Sequence, residues 1–401
     1  MAVAACRCGI TAALMLLSAQ AVLAGEPYTP ASVDAVLLQR PAGAAKSLRA
    51  LRSAPIASDP AARIAAVQTA IDLGHRGGDP RYFGQARALL GSDWDAPQPP
   101  LVLRLLRATL RQQRHDFAGA LSDLEVLLAA DPRNAQARLV RANIHMVLGA
   151  PQLARRDCAA LVGQTGLLTA ATCLGVVRGL SGQARSGLQA IELSLAREPE
   201  APATLRVWAL TQAAEIAERL GDVPRATEHF SKALAEAEAA GENDVYLKAA
   251  HADFLLTQQR PSDVQALLSE EADFDPLLLR LALAESQLAN AGDPAAARLL
   301  ATHLKELLAR FELAALRGDA PHRREQTMVA LHLQADPQQA LRLAQQNWAE
   351  QHEPADARLL LLAALAAKSP AAAQPVLDWM QRTQIEDLRL KPLASRLGRA
   401  P

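Results

Sequence analysis

The residue types that most often carry catalysis or metal binding are scattered along this chain of 401 residues. Nine histidines occur singly, and none lies in an H-E-x-x-H pattern. The chain has no C-x-x-C pair, no G-x-x-x-x-G-K-[ST] phosphate loop, no G-x-G-x-x-G turn and no G-x-S-x-G nucleophile elbow. The sequence therefore predicts no catalytic residue, no metal ligand and no cofactor.

Two short stretches look like chemical motifs and are better explained as turns. The run from Gly74 to Asp79 is rich in glycine, but no strand pattern precedes it and it lacks the lysine of a phosphate loop. His115 and Asp116 could pair as a base and the acid that orients it. Adjacent helical residues, however, point about 100° apart and rarely face each other. We interpret both stretches as connections between helices.

The composition favours helices. Half of the residues are hydrophobic while only 3% are aromatic, so alanine and leucine supply most of the apolar surface; these residues pack helices closely and disfavour strands. A length of 401 residues is long for one compact core but ordinary for a solenoid. Basic and acidic residues number 42 each, which removes any bulk electrostatic reason to expect nucleic acid as a partner. We predict an all-α chain.

One helical unit recurs from Leu101 onward. A shift of 34 residues places three small or apolar residues on their counterparts: Ala120 on Ala154, Leu124 on Cys158 and Leu127 on Leu161. Two further copies carry Gly187 with Ile191 and Ala226 with Phe230. This spacing is typical of helical hairpins that bury an apolar face against neighbours of the same kind.

Asp-Pro steps punctuate the pattern. They occur at Asp59, Asp79, Asp131, Asp275, Asp293 and Asp336. An aspartate side chain can accept hydrogen bonds from the free backbone N–H groups at the start of a helix. The proline that follows has no N–H group to leave unsatisfied, and its φ is already helical. Each step therefore predicts a helix start.

These positions resemble the tetratricopeptide (TPR) repeat. Its A-x3-F spacing is literal at Ala226 and Phe230, and Pro132 and Pro199 stand where the repeat has its closing proline. The chain departs from the repeat at two aromatic positions: Arg104, Arg138 and Ala171 replace the tryptophan, and Arg111, His145 and Arg178 replace the tyrosine. The chain is also similar to exported proteobacterial TPR proteins of unassigned function. The resemblance implies an α-solenoid of TPR-like helical hairpins with a protein partner, and it transfers no catalytic residue.

The first 24 residues predict an export signal. Arg7 gives a positive start, the apolar runs Ile10 to Leu17 and Ala21 to Leu23 are too short to span a bilayer comfortably, and Ala24 is the small residue that a signal peptidase requires. An uncleaved anchor is the alternative, which polar interruptions of the apolar run disfavour. We expect cleavage after Ala24 and a periplasmic or secreted product.

The pattern divides the chain into five parts. They are a signal peptide (1–24), N-terminal helical hairpins (25–90), a proline-rich linker (91–100), core TPR-like repeats (101–240) and degenerate C-terminal repeats with a capping tail (241–401). We expect the tail to form a short helix that covers the last unit, with its arginines as a solvated face.

Only Cys158 and Cys173 follow the expected cleavage site. In the repeat register they lie on the second helix of one unit and the first helix of the next, which pack as neighbours. An oxidising compartment makes a bridge plausible, and closing a loop of about 15 residues would contribute roughly 3 kcal/mol. Two small buried thiols are an equally good explanation.

A solenoid offers a binding surface on its concave face, which the first helix of each unit lines. In this register the face takes Gln112 from one unit and Gln136 and Asn143 from the next. Asn143 lies where chaperone-binding TPR domains carry an asparagine that grips a peptide, but the basic residues of that clamp are missing. We predict that Gln112, Gln136 and Asn143 contact a partner; simple solvation of these side chains is the alternative.

Three functional hypotheses follow. The first is a non-catalytic periplasmic scaffold that binds a protein or peptide partner on its concave face. The second is an envelope enzyme with an unrecognised active site, which the lack of a separate catalytic domain disfavours. The third is a structural subunit of a membrane-associated assembly that contacts an envelope membrane protein. The sequence leaves the partner's identity and the oligomeric state open.

Overall fold

The structure, a computed structural model, describes residues 59–77, 79–316 and 322–398. The expected signal peptide and the segment that follows it lie outside these residues. The described part forms nineteen α-helices and two short 3-10 helices, and no strand is present in it. The prediction of an all-α solenoid is confirmed.

Eighteen of the helices pair into nine hairpins, each with a first and a second helix. In chain order the pairs are α1 (Pro60–Gly77) with α2 (Pro80–Leu90), α3 (Leu101–Gln113) with α4 (Phe117–Ala130), α5 (Ala135–Val147) with α6 (Pro151–Ala160), α7 (Leu167–Gly179) with α8 (Ala184–Arg197), α9 (Ala203–Arg219) with α10 (Val223–Ala239), α11 (Val245–Thr257) with α12 (Pro261–Leu268), α13 (Asp275–Asn290) with α14 (Pro294–Leu316), α15 (Arg323–His332) with α16 (Pro337–Trp348), and α17 (Pro354–Ala366) with α18 (Gln374–Thr383). Helix α19 (Leu390–Leu397) follows, and the 3-10 helices span Gly91–Trp94 and Pro370–Ala373.

Aspartate side chains begin several helices, as the Asp-Pro steps predict. Asp79, Asp293 and Asp336 each accept a backbone N–H from the first turn of α2, α14 and α16. The prediction is wrong at Asp131, because α5 begins only at Ala135. There Asn134 caps the helix by accepting the N–H of the residue three positions on, and Asp131 belongs to the turn before it.

Small residues let the two helices of a hairpin cross closely. Ala120 and Ala154, which superpose in the repeat, are both fully buried. In the fourth hairpin both crossing positions are glycine, and a Cβ on Gly187 would lie 2.5 Å from the carbonyl oxygen of Gly175. The backbones of α7 and α8 therefore approach so closely that only glycine fits.

In hairpins 2 and 3 an arginine occupies the position of the missing tryptophan, and an aspartate on the second helix accepts hydrogen bonds from it. In hairpin 2, Asp123 accepts hydrogen bonds from Arg104 (3.0 Å), Arg107 (2.6 and 2.7 Å) and Arg111 (2.9 Å). The Asp123 side chain is only 1% exposed. Because a buried charge is costly unless it is paired, these bonds explain how the hairpin accommodates arginine there.

Hairpin 3 repeats this charge cluster. Asp157 accepts hydrogen bonds from Arg138 (3.2 Å) and Arg141 (2.7 and 2.8 Å). The aspartate follows the first arginine by 19 residues in both hairpins. Hairpin 4 has neither charge, since Ala171 and Ala190 stand at the two positions. The arginine and the aspartate thus occur together or not at all in these three units.

The first helices form the inner layer of the solenoid. Each of them contacts the first helix of the next hairpin, from α1 and α3 through to α15 and α17. Helix α1 also contacts α11, the first helix of hairpin 6. Contact between hairpins so far apart in the stack requires tight winding, so the solenoid turns back on itself.

The superhelix closes where its C-terminal end meets the turns inside hairpins 2 to 5. We call these contacts the seam, and two segments make them: residues 350–353 before α17 and residues 384–389 after α18. In the first segment the His352 N–H donates to the Val147 carbonyl (2.7 Å). In the second, Glu386 accepts the N–H of Ala184 at the N-terminus of α8 (2.6 Å).

The seam continues onto hairpin 5. The Leu388 N–H donates to the carbonyl of Arg219 at the end of α9 (2.9 Å). Arg389 forms ion pairs with Glu218 (2.8 Å) and Asp387 (2.9 Å). The expectation that the tail arginines form a solvated face is therefore wrong for Arg389, because the seam brings carboxylates of α9 and of the tail against its guanidinium. Burial alone would lower the pKa of Arg389, but the hydrogen bonds and charges of Asp387 and Glu218 outweigh it and raise the pKa above the ordinary value.

Candidate functional site

The three amide residues predicted to contact a partner lie on the first helices α3 and α5. Gln136 and Asn143 are exposed, and Gln112 is half-buried. None of these side chains forms a hydrogen bond within the part of the chain that the structure describes. Their amide groups are therefore free to donate to and accept from the backbone of another chain.

The structure spreads these amides along the inner surface instead of gathering them at one point. Gln136 is the second residue of α5 and Asn143 lies seven residues later, about 10 Å along the helix. Gln112 is the penultimate residue of the neighbouring α3. This arrangement suits an extended segment better than a compact small molecule.

Half-buried apolar side chains lie on the same layer of first helices as the amides. Leu139 and Met146 on α5, Leu174 on α7 and Trp208 on α9 are half-buried and pack against the core that surrounds the two cysteines. Trp208 is absent from the sequence-based prediction. The repeat register contains the signal for it, because Trp208 precedes Ala226 by the same number of residues as Gln136 precedes Ala154.

Hydrogen bonds join side chains of α9 and α11 within the layer of first helices. The Tyr246 hydroxyl donates to Glu215 (2.9 Å), and the Gln212 amide donates to the other oxygen of that carboxylate (2.8 Å). Tyr246 is 58% exposed. Burial by the surrounding protein and the Glu215 charge nevertheless raise the pKa of its phenol well above the ordinary value. Tyr246 lies on α11, the first helix that α1 contacts where the solenoid turns back on itself, and we call the space lined by the first helices the lumen.

Helix α17 forms another part of the wall of the lumen. Burial raises the pKa of the Glu215 carboxyl, and the negative charge of Glu353, next to the first residue of α17, raises it further. The same charge raises the pKa of Tyr246. Helix α17 is the first helix of hairpin 9 and contacts the first helix α15, so it belongs to the same inner layer.

The inner surface is not accessible at hairpin 7. Every residue of α13 from Leu277 to Glu285 is buried. Arg280 on this helix donates to Asp253 of α11 (2.7 and 3.0 Å). A helix that is buried on all sides has no face left for a partner. The accessible inner surface therefore runs from α3 to α11.

Cys158 and Cys173 join neighbouring hairpins beneath this surface. Cys158 lies on α6 and Cys173 on α7, as the repeat register requires, with a Cα–Cα distance of 5.4 Å and an S–S distance of 1.99 Å. This separation is within the usual range for a disulfide. That the bridge forms in the exported protein stays a prediction, which a thiol count tests.

The two motif-like stretches lie at helix ends. His115 adopts a positive φ of 60° in the turn between α3 and α4. Asp116 caps α4 by accepting the Gly119 N–H (2.9 Å). The interpretation of the run from Gly74 as a connection is wrong for its first part, because α1 continues to Gly77; Asp79 caps α2. The described residues contain no group of three or more His, Cys, Asp or Glu side chains that could hold a metal ion. In the same part of the chain, no helix is both long and apolar enough to cross a membrane.

Comparison with known proteins gives fold-level similarity only. No family model and no curated protein matches the chain. A structure of the human IFIT1 dimer with PPP-AAAA is similar over 88% of this chain and 86% of its own, at 15% identity and a TM-score of 0.42. The Cut9–Hcn1 hetero-tetramer of the APC/C matches 86% of this chain and 65% of its own, at 14% identity and a TM-score of 0.43. The TPR domain of P58(IPK) matches 75% and 97%, at 15% identity and a TM-score of 0.22.

Because these TM-scores are all below 0.5, the similarity gives no information about the ligand or the activity of this chain. The TPR-like character of the chain follows from its own hairpins: the recurring unit, the small residues where helices cross and the inner layer of first helices.

Proposed function

We propose that this protein is a non-catalytic periplasmic scaffold that binds an extended segment of a partner protein on its inner surface, between α3 and α11. The observation that carries the proposal is the set of free amides on α3 and α5 beside half-buried apolar side chains. Amides can bond to the backbone of an extended chain, and the apolar side chains can pack against its side chains.

The proposed location rests on two features of the sequence. The first is the export signal with its expected cut after Ala24. The second is the cysteine pair, since disulfides persist in oxidising compartments such as the periplasm. Fractionation of cells that express the full chain tests the location directly: we expect a shortened, oxidised product in the periplasmic fraction, and a full-length cytosolic product would contradict the proposal.

The binding surface is tested with two matched variants in pull-downs from envelope extracts. The first variant changes the three inner amides to alanine: Gln112, Gln136 and Asn143. The control changes three exposed amides on second helices and loops to alanine: Gln152, Gln164 and Gln338. We expect a partner that the wild type and the control capture and that the inner variant loses. Equal capture by all three proteins would assign the interface to another surface, as a structural subunit that binds a membrane protein's loops would require.

A further inference from the structure

The C-terminal end of the chain forms a structural body with its own core. Buried side chains of α16 to α19 form one apolar cluster, which includes Trp348, Leu360 and Trp379. A separate cluster fills hairpins 4 to 7. Helix α15 contributes to both, through Val329 to one and Ala330 to the other. We call α16 to α19 the C-terminal body, and α15 is its packed link to the rest of the stack.

The opposite side of the C-terminal body rests on hairpins 2 to 5 only through the seam. From those hairpins, Leu180 is the one side chain described as packing on the apolar cluster of the body. The other seam contacts are hydrogen bonds and ion pairs at turns, together with the close approach of His352 and Trp379 to Gly149 and of Leu388 to Gly221. Leu388 is still 51% exposed. Because little apolar surface is buried there, separation of the seam exposes far less than separation of a hairpin would.

Glycines in the turns allow the seam to close. The turns inside hairpins 3, 4 and 5 place Gly149, Gly182 and Gly221 at positive φ (69°, 71° and 76°). A Cβ on Gly182 would lie 3.1 Å from the backbone of the second seam segment, and one on Gly221 would lie 2.8 Å from the side chain of Leu388. The turn of hairpin 6 has the non-glycine Gln259 at the same conformation. Glycine in the turns of hairpins 3 to 5 therefore both relieves strain and admits the C-terminal body, whereas the turn of hairpin 2, which the first seam segment also meets, keeps His115 at positive φ.

We propose that the C-terminal body is a lid on the lumen: it pivots on α15, opens at the seam without unfolding, and so controls access of a polypeptide to the inner faces of α9 and α11. The identity of the occupant rests on the proposed function, but the opening does not. In the closed state Tyr246 is 58% exposed, so water reaches the lumen, and the C-terminal body is joined to hairpins 2 to 5 at the seam.

The seam can be weakened without disturbing the core. The double variant Glu386→Ala with Leu388→Ala removes the carboxylate that accepts the α8 N–H and an exposed leucine that covers a glycine turn. The matched control, Leu299→Ala with Glu312→Ala, removes an exposed leucine and an exposed acid from α14. Loss of a hydrogen bond to a charged group shifts an equilibrium by about tenfold or more.

Access to the lumen is measured with Tyr246→Cys in the full oxidised chain. This cysteine is labelled with a small maleimide and with a maleimide on a polymer, in the wild-type, seam-variant and control backgrounds. The polymer, of about 5 kDa, is far larger than a ligand that fills a protein pocket. Gln152→Cys on α6 supplies the rate for an open surface. We expect the large reagent to be slow in the wild type and the control, and about tenfold faster in the seam variant. Equal rates for both reagents in the wild type, or no acceleration in a folded seam variant, would overturn the proposal.

Hydrogen exchange on the unaltered protein provides a second test. The amides of Ala184, His352 and Leu388 bond across the seam, whereas the amide of Leu361 lies in the middle of α17. A lid that opens as a body releases the three seam amides together and faster than Leu361. Exchange of all four at one rate would show that the seam opens only when the body unfolds. Neither measurement uses a partner, so a failed pull-down and a rigid seam are separate outcomes.

Discussion

Replacing Asp123 should destabilise this protein more than replacing its repeat counterpart Asp157. The side chains of Arg104 and Arg107 around Asp123 are 9% and 4% exposed. Loss of the carboxylate would therefore leave two guanidinium groups buried without a counter-charge, which costs roughly 3–5 kcal/mol. Arg107 keeps its bonds to three backbone carbonyls of residues 93, 94 and 96. We therefore expect the lower end of that range for Asp123→Ala, about 3 kcal/mol.

The cost in hairpin 3 should be smaller. The side chains of Arg138 and Arg141 are 17% and 23% exposed. After Asp157→Ala they can turn toward water, so the loss should be close to that of one charged hydrogen bond, about 1.5 kcal/mol.

Urea unfolding followed by circular dichroism at the helix band measures both variants. The midpoint and slope give the change in the free energy of unfolding. Asp123→Asn, which keeps the shape of the side chain and removes its charge, separates electrostatics from packing. A change below about 1 kcal/mol for Asp123→Ala, or a larger change for Asp157→Ala, would refute the assignment of these arginines as buried charges held by one aspartate.

Three further predictions concern other parts of the stack. The denatured, unreduced protein should show no free thiol from Cys158 and Cys173, and reduction should lower the free energy of unfolding by roughly 3 kcal/mol; two reactive thiols would exclude the bridge. Burial, aided by Arg260, lowers the pKa of His251 from 6.5 to about 4. The unfolded chain then binds the proton more readily, so the free energy of unfolding should be steady above pH 6.5 and fall as the pH drops toward 4. His251→Leu should remove part of that fall, and an unchanged pH profile would contradict it. Gly187→Ala should cost about 1–3 kcal/mol in thermal or urea unfolding, because its Cβ would meet a carbonyl of α7 at 2.5 Å; Gly84→Ala, with open space around it, is the control and should be neutral or stabilising.

The repeat architecture could be predicted because it depends on local spacing. Ala120, Ala154 and Ala226 mark helix crossings that any helical hairpin needs, and the structure buries all three completely. The arginines that replace tryptophan are visible in the sequence, but their function is not. An arginine followed after 19 residues by an aspartate becomes informative only when the hairpin brings α3 against α4.

Closure of the superhelix could not be predicted in the same way. The bond between Ala184 and Glu386 joins residues 202 positions apart. Whether such residues meet depends on the small rotation between successive hairpins, which accumulates over several units and leaves no periodic signal. The extent of the inner surface is therefore a property of the whole stack, and α13 illustrates this, since its leucines fit a partner-facing helix as well as a buried one.

Small-angle X-ray scattering of the full chain tests the closed superhelix most directly. We predict that the wild type and the Leu299→Ala/Glu312→Ala control share one scattering profile, and that Glu386→Ala with Leu388→Ala increases the radius of gyration and the maximum dimension while the helix content is unchanged. A wild-type profile with the dimensions of an open solenoid, unaffected by the seam substitutions, would contradict the account.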